Sequence, residues 1–316
     1  MDEMETLVIV LTYVAYVFIV AMYTIKARAW LAMPPHIRWD LYPVIHEEHY
    51  QYGGSYYEQP EWWTKPRPKH RLRSLFYALK DNFYMGEYFK RNRFYWAVLL
   101  PWHLGFIFII TFHILCFFAA CAIVFGINIS AASEQPAGQI FYYLLLATGG
   151  IAFIGGTFGC IGMPIVRLAD RGLRTYATPF NFFNYAFFFL VYLSGLYAWI
   201  VLDPTLAEYR TYWLGLITLS PPHLHPMTVL HIILFDLFLI YLPFTRSLHY
   251  ITRIFALYRI RWDDEPNRRG SKLEKQISGL LSQKISWEGK HIPSGATWAE
   301  AATRLDSPNP KKKDNP

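Results

Sequence analysis

Four histidines lie in or at the ends of long apolar stretches, and their spacing is the feature of this sequence that most directly predicts chemistry. His103 and His113 are ten residues apart, whereas His231 and His249 are eighteen residues apart. Imidazole binds metals and carries protons, and ionisable groups inside a bilayer are costly and usually functional. The two pairs therefore predict a functional site among apolar helices.

The composition predicts that these helices cross a membrane. Of the 316 residues, 53% are hydrophobic and only 17% are charged, whereas about 25% are charged in ordinary soluble domains. A helix needs about 20 apolar residues to cross the hydrocarbon core. The segments that are long enough are 6–25, 94–127, 139–166, 180–202 and 226–250. We therefore expect an all-α membrane protein with five transmembrane helices.

Three of these segments carry details that bear on the fold. The first follows the acidic sequence MDEMET and lacks the basic start and cleavage site of a signal peptide, so we expect it to be retained. The second contains Pro101, which should kink or tilt its helix. The third contains six glycines between Gly149 and Gly162, and small residues let neighbouring helix backbones approach closely.

The cysteines exclude several kinds of redox site. All three (Cys116, Cys121 and Cys160) fall inside apolar segments, and the chain contains neither CxxC nor CxxCH. A disulfide scaffold, a cysteine-held iron–sulfur cluster within this chain and a covalently attached c-type haem are therefore excluded.

The basic residues orient the five segments. Twelve Lys and Arg lie between Lys26 and Arg93, three join the third and fourth segments, and fourteen lie between Arg246 and Lys313. Only Arg210 remains for the other side of the membrane. Because Lys and Arg concentrate in cytoplasmic loops, we expect the N-terminus outside and the C-terminus in the cytoplasm, in a multi-pass protein of the cell inner membrane.

This orientation divides the chain into four parts. They are a first transmembrane helix (1–25), a cytoplasmic aromatic and basic loop (26–93), a four-helix membrane core (94–261) and a cytoplasmic polar tail (262–316). The loop and the tail form either a solvated positive margin beside the lipid headgroups or a docking surface for a cytoplasmic partner. The sequence leaves both interpretations open.

The orientation also pairs the histidines by depth. The second segment runs outward and the fifth inward, so His103 should lie level with His249, and His113 level with His231. The two levels are separated by helical rises of about 15 Å and 27 Å, which leaves room for two cofactors stacked across the membrane. An eighteen-residue step returns to the same helix face, but a ten-residue step falls about 80° short, so the second helix must tilt or kink.

Imidazoles that face each other from neighbouring membrane helices favour b-type haem. Two neutral nitrogens ligate the iron axially while apolar helices enclose the macrocycle. Zinc or copper is a weaker alternative, because each level offers two histidines with no Cys or Glu beside them. Histidines that serve only packing are a second alternative.

With these features the chain resembles the gamma subunit of respiratory nitrate reductase and its relatives, the membrane cytochrome b subunits of redox complexes in sulfate-reducing and related prokaryotes. The resemblance lies in the five spans, in WHLGFIFIITFH (residues 102–113) and in HIILFDLFLIYLPFTRSLH (residues 231–249). The ending LPFTRSLH is particularly similar. The resemblance covers residues 94–250 in detail and the first span only in hydropathy.

The resemblance implies a dihaem cytochrome b. One haem, which we call inner, would be held by His103 and His249 (the inner pair), and the outer haem by His113 and His231 (the outer pair). These four histidines would be the ligands of the two haem irons.

The resemblance also implies partners and further contacts. Arg246 and Arg253 are the implied partners of the inner haem propionates. Family members carry electrons between a quinone pool and iron–sulfur subunits, so quinone or menaquinone is the implied exchangeable substrate. A cytoplasmic iron–sulfur subunit and a periplasmic multihaem cytochrome c are the implied protein partners. The chain would then be an electron-transfer subunit without a complete enzyme activity of its own, bound by membrane lipid and not by nucleic acid.

The sequence departs from nitrate reductase at two places. The stretch between the first two spans is longer, and the outer side lacks the lysine that the quinol site of nitrate reductase uses. The type of complex found in sulfate reducers is therefore the closer match. The candidates for quinone contacts on the outer side are His223, His225, Glu134 and Tyr142, with Arg210 as the only cation.

Two further hypotheses concern charge inside the membrane. Asp236 lies five residues after His231, and a carboxylate there serves either a hydrogen bond to another helix or a proton path. The competing functional class is a non-redox transporter or scaffold whose histidines serve proton transfer or packing. Such transporters commonly carry internal repeats, and the two halves of this sequence show none.

Overall fold

The computed structural model describes residues 3–32, 60, 61, 64, 71–249, 269–289 and 292–303. Helices make up the regular structure of these residues. In chain order they are α1 (Glu3–Ala32), α2 (Arg71–Tyr84), α3 (Gly86–Arg91), α4 (Arg93–Val124), α5 (Pro136–Ala169), α6 (Arg171–Thr175), α7 (Pro179–Tyr197), α8 (Ala207–Thr218), α9 (Pro226–Tyr241), α10 (Lys272–Leu281) and α11 (Trp298–Thr303).

Five helical segments in the described part of the chain are long and apolar enough to cross a membrane. They are α1, α4, α5, α7 with the π turn that extends it to Leu202, and α9 with the 3-10 turn that extends it to Phe244. Many of their apolar side chains are exposed, including Val17, Phe118 and Leu190, as expected of helices that face lipid. The prediction of an all-α membrane protein with five transmembrane helices is confirmed.

Prolines and one polar cap set where four of these helices begin. Pro136, Pro179 and Pro226 occupy the first turns of α5, α7 and α9, where a missing N–H costs no hydrogen bond. At the start of α4, the Asn92 side chain accepts a hydrogen bond from the backbone N–H of Tyr95 at 2.9 Å. The apolar residues that follow continue the helix without a further capping interaction.

Small residues bring α4 and α5 together. A Cβ atom built on Gly105 would lie 2.5 Å from the backbone nitrogen of Gly156, and one built on Gly155 would lie 2.8 Å from the carbonyl oxygen of Pro101. Any larger residue would force the two backbones apart. The glycines of the third span therefore serve the close helix packing that the sequence predicts.

The fifth span is not one continuous α-helix. The α-helix ends at Tyr241, and short 3-10 turns cover Leu242–Phe244 and Arg246–Leu248. Pro243 has no N–H to donate back along the helix and its ring crowds the preceding turn. The assumption of an unbroken helix from His231 to His249 is wrong, so the eighteen-residue step does not fix which face of the span His249 occupies.

The chain forms two compact units. One contains residues 1–23 and 72–248, which include most of the membrane-spanning segments, and the other contains residues 24–71 and 249–316. Within the second unit, α10 begins at the cap Ser271, whose hydroxyl accepts from the backbone N–H of Glu274 at 3.1 Å. The helix α3, and α2 from Leu72 onward, belong to the first unit.

Candidate functional site

His113 is buried in α4 and both of its ring nitrogens have partners. Its Nδ1 lies 2.7 Å from the carbonyl oxygen of Ile109, one turn back along the helix. Its Nε2 lies 2.8 Å from the hydroxyl of Tyr209 on α8. A carbonyl can only accept, so Nδ1 carries the proton and donates to Ile109, while Nε2 is a lone pair that accepts from Tyr209. The helix backbone thus sets the tautomer in which Nδ1 carries the proton and Nε2 is unprotonated.

His231 is buried in α9 and shows the same asymmetry. Its Nδ1 lies 3.0 Å from the hydroxyl oxygen of Ser194 on α7, and that hydroxyl donates to the carbonyl of Val191 at 3.0 Å. Ser194 therefore accepts from Nδ1–H. In the described part of the chain, His231 Nε2 is buried and has no hydrogen-bond partner. The lone pair of His231 Nε2 is therefore buried without a hydrogen-bond donor among the described residues.

Gly195 gives the His231 ring its room. A Cβ atom at this position would lie 2.4 Å from Phe153 Cε1 and 2.7 Å from His231 Cε1. Both distances are too short for any side chain, so the ring of His231 occupies the space that residue 195 leaves free.

The outer pair shares its neighbours. The Tyr209 ring centroid lies 5.9 Å from that of His113 and 6.1 Å from that of His231. Phe235, on α9, stacks on His113 with centroids 3.6 Å apart and lies 6.5 Å from His231. The structure thus brings these two predicted residues together, from two helices far apart in the sequence.

The inner pair is placed differently. His103 is partly buried on α4, whereas His249 is exposed and belongs to the other compact unit. The pairing of His103 with His249 stays a prediction. Arg246 is exposed after the break in the fifth span, and Arg253 lies outside the described residues. Their expected contacts with haem propionates stay predictions as well.

Tyr209 is a residue of the site that sequence reasoning missed. It belongs to α8, a helix between the fourth and fifth spans, whose start is capped by Asp203 accepting from the backbone N–H of Ala207 at 2.8 Å. Burial raises the pKa of the Tyr209 hydroxyl well above its ordinary value. The hydroxyl therefore stays protonated and serves as the donor to His113. The available signal was the acidic cap followed by the aromatic sequence EYRTYW.

A partly open pocket reaches His231. Its apolar walls include Phe112, Phe153 and Trp199, and its polar lining includes Asp203, Glu208 and Thr228. The Thr228 hydroxyl donates to Glu208 at 2.7 Å. The pocket thus joins an acidic region beside α8 to the buried imidazole.

The residues suggested for quinone contacts are dispersed. The Nδ1 atom of His223 lies 2.8 Å from a carboxylate oxygen of Glu5, and His225 caps α9 by accepting from the backbone N–H of Met227 at 3.2 Å. The Arg210 guanidinium lies over the Tyr142 ring, 5.8 Å from its centroid. Burial lowers the Arg210 pKa, and Asp203 opposes this effect. Glu134 is exposed. None of these residues lines the pocket that reaches His231.

Asp236 is the buried carboxylate of the fifth span. It is 1% exposed, and its Oδ2 lies 2.7 Å from the hydroxyl of Thr12 on α1. The Thr12 hydroxyl also lies 2.5 Å from the Tyr212 hydroxyl of α8. The expected hydrogen bond from Asp236 to another helix is therefore present.

The outer pair has the donor set that a bis-histidine haem site requires. Each imidazole is fixed through Nδ1, as metal-bound histidines usually are, and His231 Nε2 is a buried lone pair without a partner. His113 Nε2 becomes available once the Tyr209 hydroxyl moves off it. Among the described residues no three His, Cys, Asp or Glu side chains form a metal site. Two axial imidazoles suffice for haem, because the porphyrin supplies the other four ligands.

Comparison of the chain with protein-family models, with curated proteins and with solved structures gives no match. The arrangement of the side chains themselves is therefore the ground on which a function is proposed.

Proposed function

We propose that the protein is a membrane cytochrome b subunit that binds two b-type haems and carries electrons across the bilayer. The observation that carries this proposal is the shared geometry of His113 and His231. Both rings are buried, both are fixed through Nδ1, and His231 Nε2 has no partner. A histidine retained only for packing would be expected to satisfy both nitrogens, as His113 does through Ile109 and Tyr209, so this argument applies to His231.

The hydrogen bonds at Nδ1 prepare each imidazole for ligation. The Ile109 carbonyl and the Ser194 hydroxyl each accept a hydrogen bond from an Nδ1–H group and so keep the proton on Nδ1. They fix the tautomer and the ring orientation and make Nε2 more basic. Haem bound there would supply one-electron oxidation and reduction. The surrounding aromatic side chains, which include Phe112, Phe153 and Phe235, pack around the two imidazoles and supply apolar walls.

The remaining parts of the proposal rest on the sequence. His103 and His249 would hold the second haem, with Arg246 and Arg253 at its propionates. The distribution of Lys and Arg supports the cytoplasmic inner membrane, with the N-terminus outside. Quinone or menaquinone would exchange electrons with the site. A cytoplasmic iron–sulfur subunit and a periplasmic multihaem cytochrome c would be the protein partners.

The test is a reduced-minus-oxidised absorption spectrum of the full-length chain, expressed with haem available and purified in detergent. We expect a b-type band equivalent to two haems per chain. His113→Ala and His231→Ala should each lose the same one of the two. His223→Ala is the control, since its exposed imidazole should leave the band unchanged. A wild-type protein without any b-type band would refute the proposal and favour a non-redox membrane protein.

A further inference from the structure

We propose that Asp236 is a proton-binding site whose occupancy is coupled to the redox state of the haem that the outer pair would hold. This inference rests on the proposed function and deepens it, because it assigns the site a proton as a second ligand. It starts from a carboxyl group that the electron-transfer proposal does not use.

The surroundings of Asp236 do not compensate a permanent charge. Its side chain is 1% exposed, and Thr12 is its hydrogen-bond partner in the described structure. No ion pair involves it within the described residues. A buried carboxylate with one neutral donor is costly when ionised and inexpensive when protonated.

The hydroxyl of Thr12 can serve either protonation state. Its Oγ1 lies 2.7 Å from Asp236 Oδ2 and 3.0 Å from the Val8 carbonyl, and the Tyr212 hydroxyl lies 2.5 Å away. When Asp236 is ionised, Thr12 donates to it. When Asp236 is protonated, it donates to Thr12, whose own proton turns to Val8. Tyr212 donates to Thr12 in both states, so every hydroxyl proton keeps an acceptor.

The carboxyl group is also close to the outer pair. Asp236 follows His231 by five residues, a rise of about 7.5 Å along α9, and its neighbour Phe235 stacks on His113. At such separations, charges inside a low-dielectric protein interact strongly. The other titratable groups near Asp236 are Tyr212 on α8, Tyr16 on α1 and His231 on its own helix, and Cys116 on α4 lies near Tyr16.

Oxidation of a quinol to a quinone would release two electrons, which haem held by His113 and His231 would accept one at a time. With each electron the Asp236 carboxylate would take up one proton from the solvent and become a carboxylic acid. When the electron passes to a partner redox protein, Asp236 would release the proton to the solvent. The net charge buried in the bundle is then the same before and after electron transfer, which avoids the cost of an uncompensated charge in the membrane.

The test is a spectroelectrochemical titration of the haem-loaded full chain at a series of pH values. The midpoint potential of the haem that His113→Ala removes should fall as the pH rises. In Asp236→Asn the potential should not change with pH over the same range. Thr12→Val removes the donor to the carboxylate, so the pH dependence should move to higher pH. Glu87→Gln removes an exposed carboxylate and should behave as the wild type does.

The outcomes separate the two proposals. A wild-type chain without a b-type band would refute the proposed function. A haem band with a potential that does not change with pH would refute the Asp236 inference alone, as would an unaltered pH dependence in Asp236→Asn. If that variant does not fold, the infrared difference spectrum of the wild type decides. A carboxylic-acid C=O band that appears on reduction and moves in Thr12→Val supports the inference, and its absence overturns it.

Discussion

If the chain binds an outer haem as proposed, a single methyl group at Gly195 should weaken its binding. In Gly195→Ala the new Cβ would lie 2.4 Å from Phe153 Cε1 and 2.7 Å from His231 Cε1. Both rings are buried, so neither can turn into solvent. Overpacking of this kind costs about 1–3 kcal/mol. If the ring of His231 is what moves, this cost opposes ligation and weakens haem binding by about 5- to 150-fold.

The assay measures how much haem the protein retains on dilution. The b-type absorption band of each haem is monitored separately. The outer haem, identified as the one lost in His231→Ala, should dissociate first in Gly195→Ala, while the inner haem is retained. Gly279→Ala is the matched control, because a Cβ on this helical glycine meets nothing within 4 Å. Retention of the outer haem with wild-type affinity in Gly195→Ala would show that the packing around His231 does not position it for ligation.

Three other substitutions test the same reasoning. Ser194→Ala removes the hydroxyl that accepts a hydrogen bond from His231 Nδ1–H. The Nε2 atom of His231 then becomes a weaker ligand for the haem iron. The outer midpoint potential should rise by about 40 mV if roughly 1 kcal/mol is lost, and a fall in a redox titration would contradict this. Tyr209→Phe frees His113 Nε2 and should tighten haem binding about fivefold for a hydrogen bond of about 1 kcal/mol, whereas weaker binding in a haem titration would indicate that the hydroxyl assists ligation. Gly105→Ala places a Cβ 2.5 Å from the backbone of Gly156. Its unfolding temperature in detergent should therefore drop well below that of Gly279→Ala, and equal values would count against close α4–α5 packing.

The spans could be predicted because hydropathy over some 20 residues depends little on side-chain detail. The five segments found in the sequence each correspond to a helix of the structure. The break after Tyr241 was also visible in principle, since Pro243 stands inside the last segment and cannot continue an α-helix. Pro243 therefore makes the helical interpretation of the eighteen-residue spacing wrong.

The environment of the outer pair could be predicted only in part. Depth matching of antiparallel spans brings His113 and His231 to a similar level, and the structure places them among common neighbours. The acceptors Ile109 and Ser194 could not be identified in advance. A carbonyl one turn back is available to every helical residue, and Ser194 reaches His231 only through the packing of α7 on α9.

The helix α8 contacts both polar features of the bundle, the outer pair and the Asp236 cluster. Tyr209 and Tyr212 are three residues apart on one helix face, with ring centroids 5.8 Å apart. Tyr209 donates to His113, and Tyr212 lies within hydrogen-bond distance of Thr12, the partner of Asp236. Burial raises the pKa of both phenols, so both remain donors. Because the same helical turn holds both hydroxyls, a shift of α8 that moves the Tyr209 hydroxyl off His113 Nε2 should also change the hydrogen bonding of Thr12, the partner of Asp236. Under the proposed function, ligation at His113 would then be coupled to the carboxyl group of Asp236.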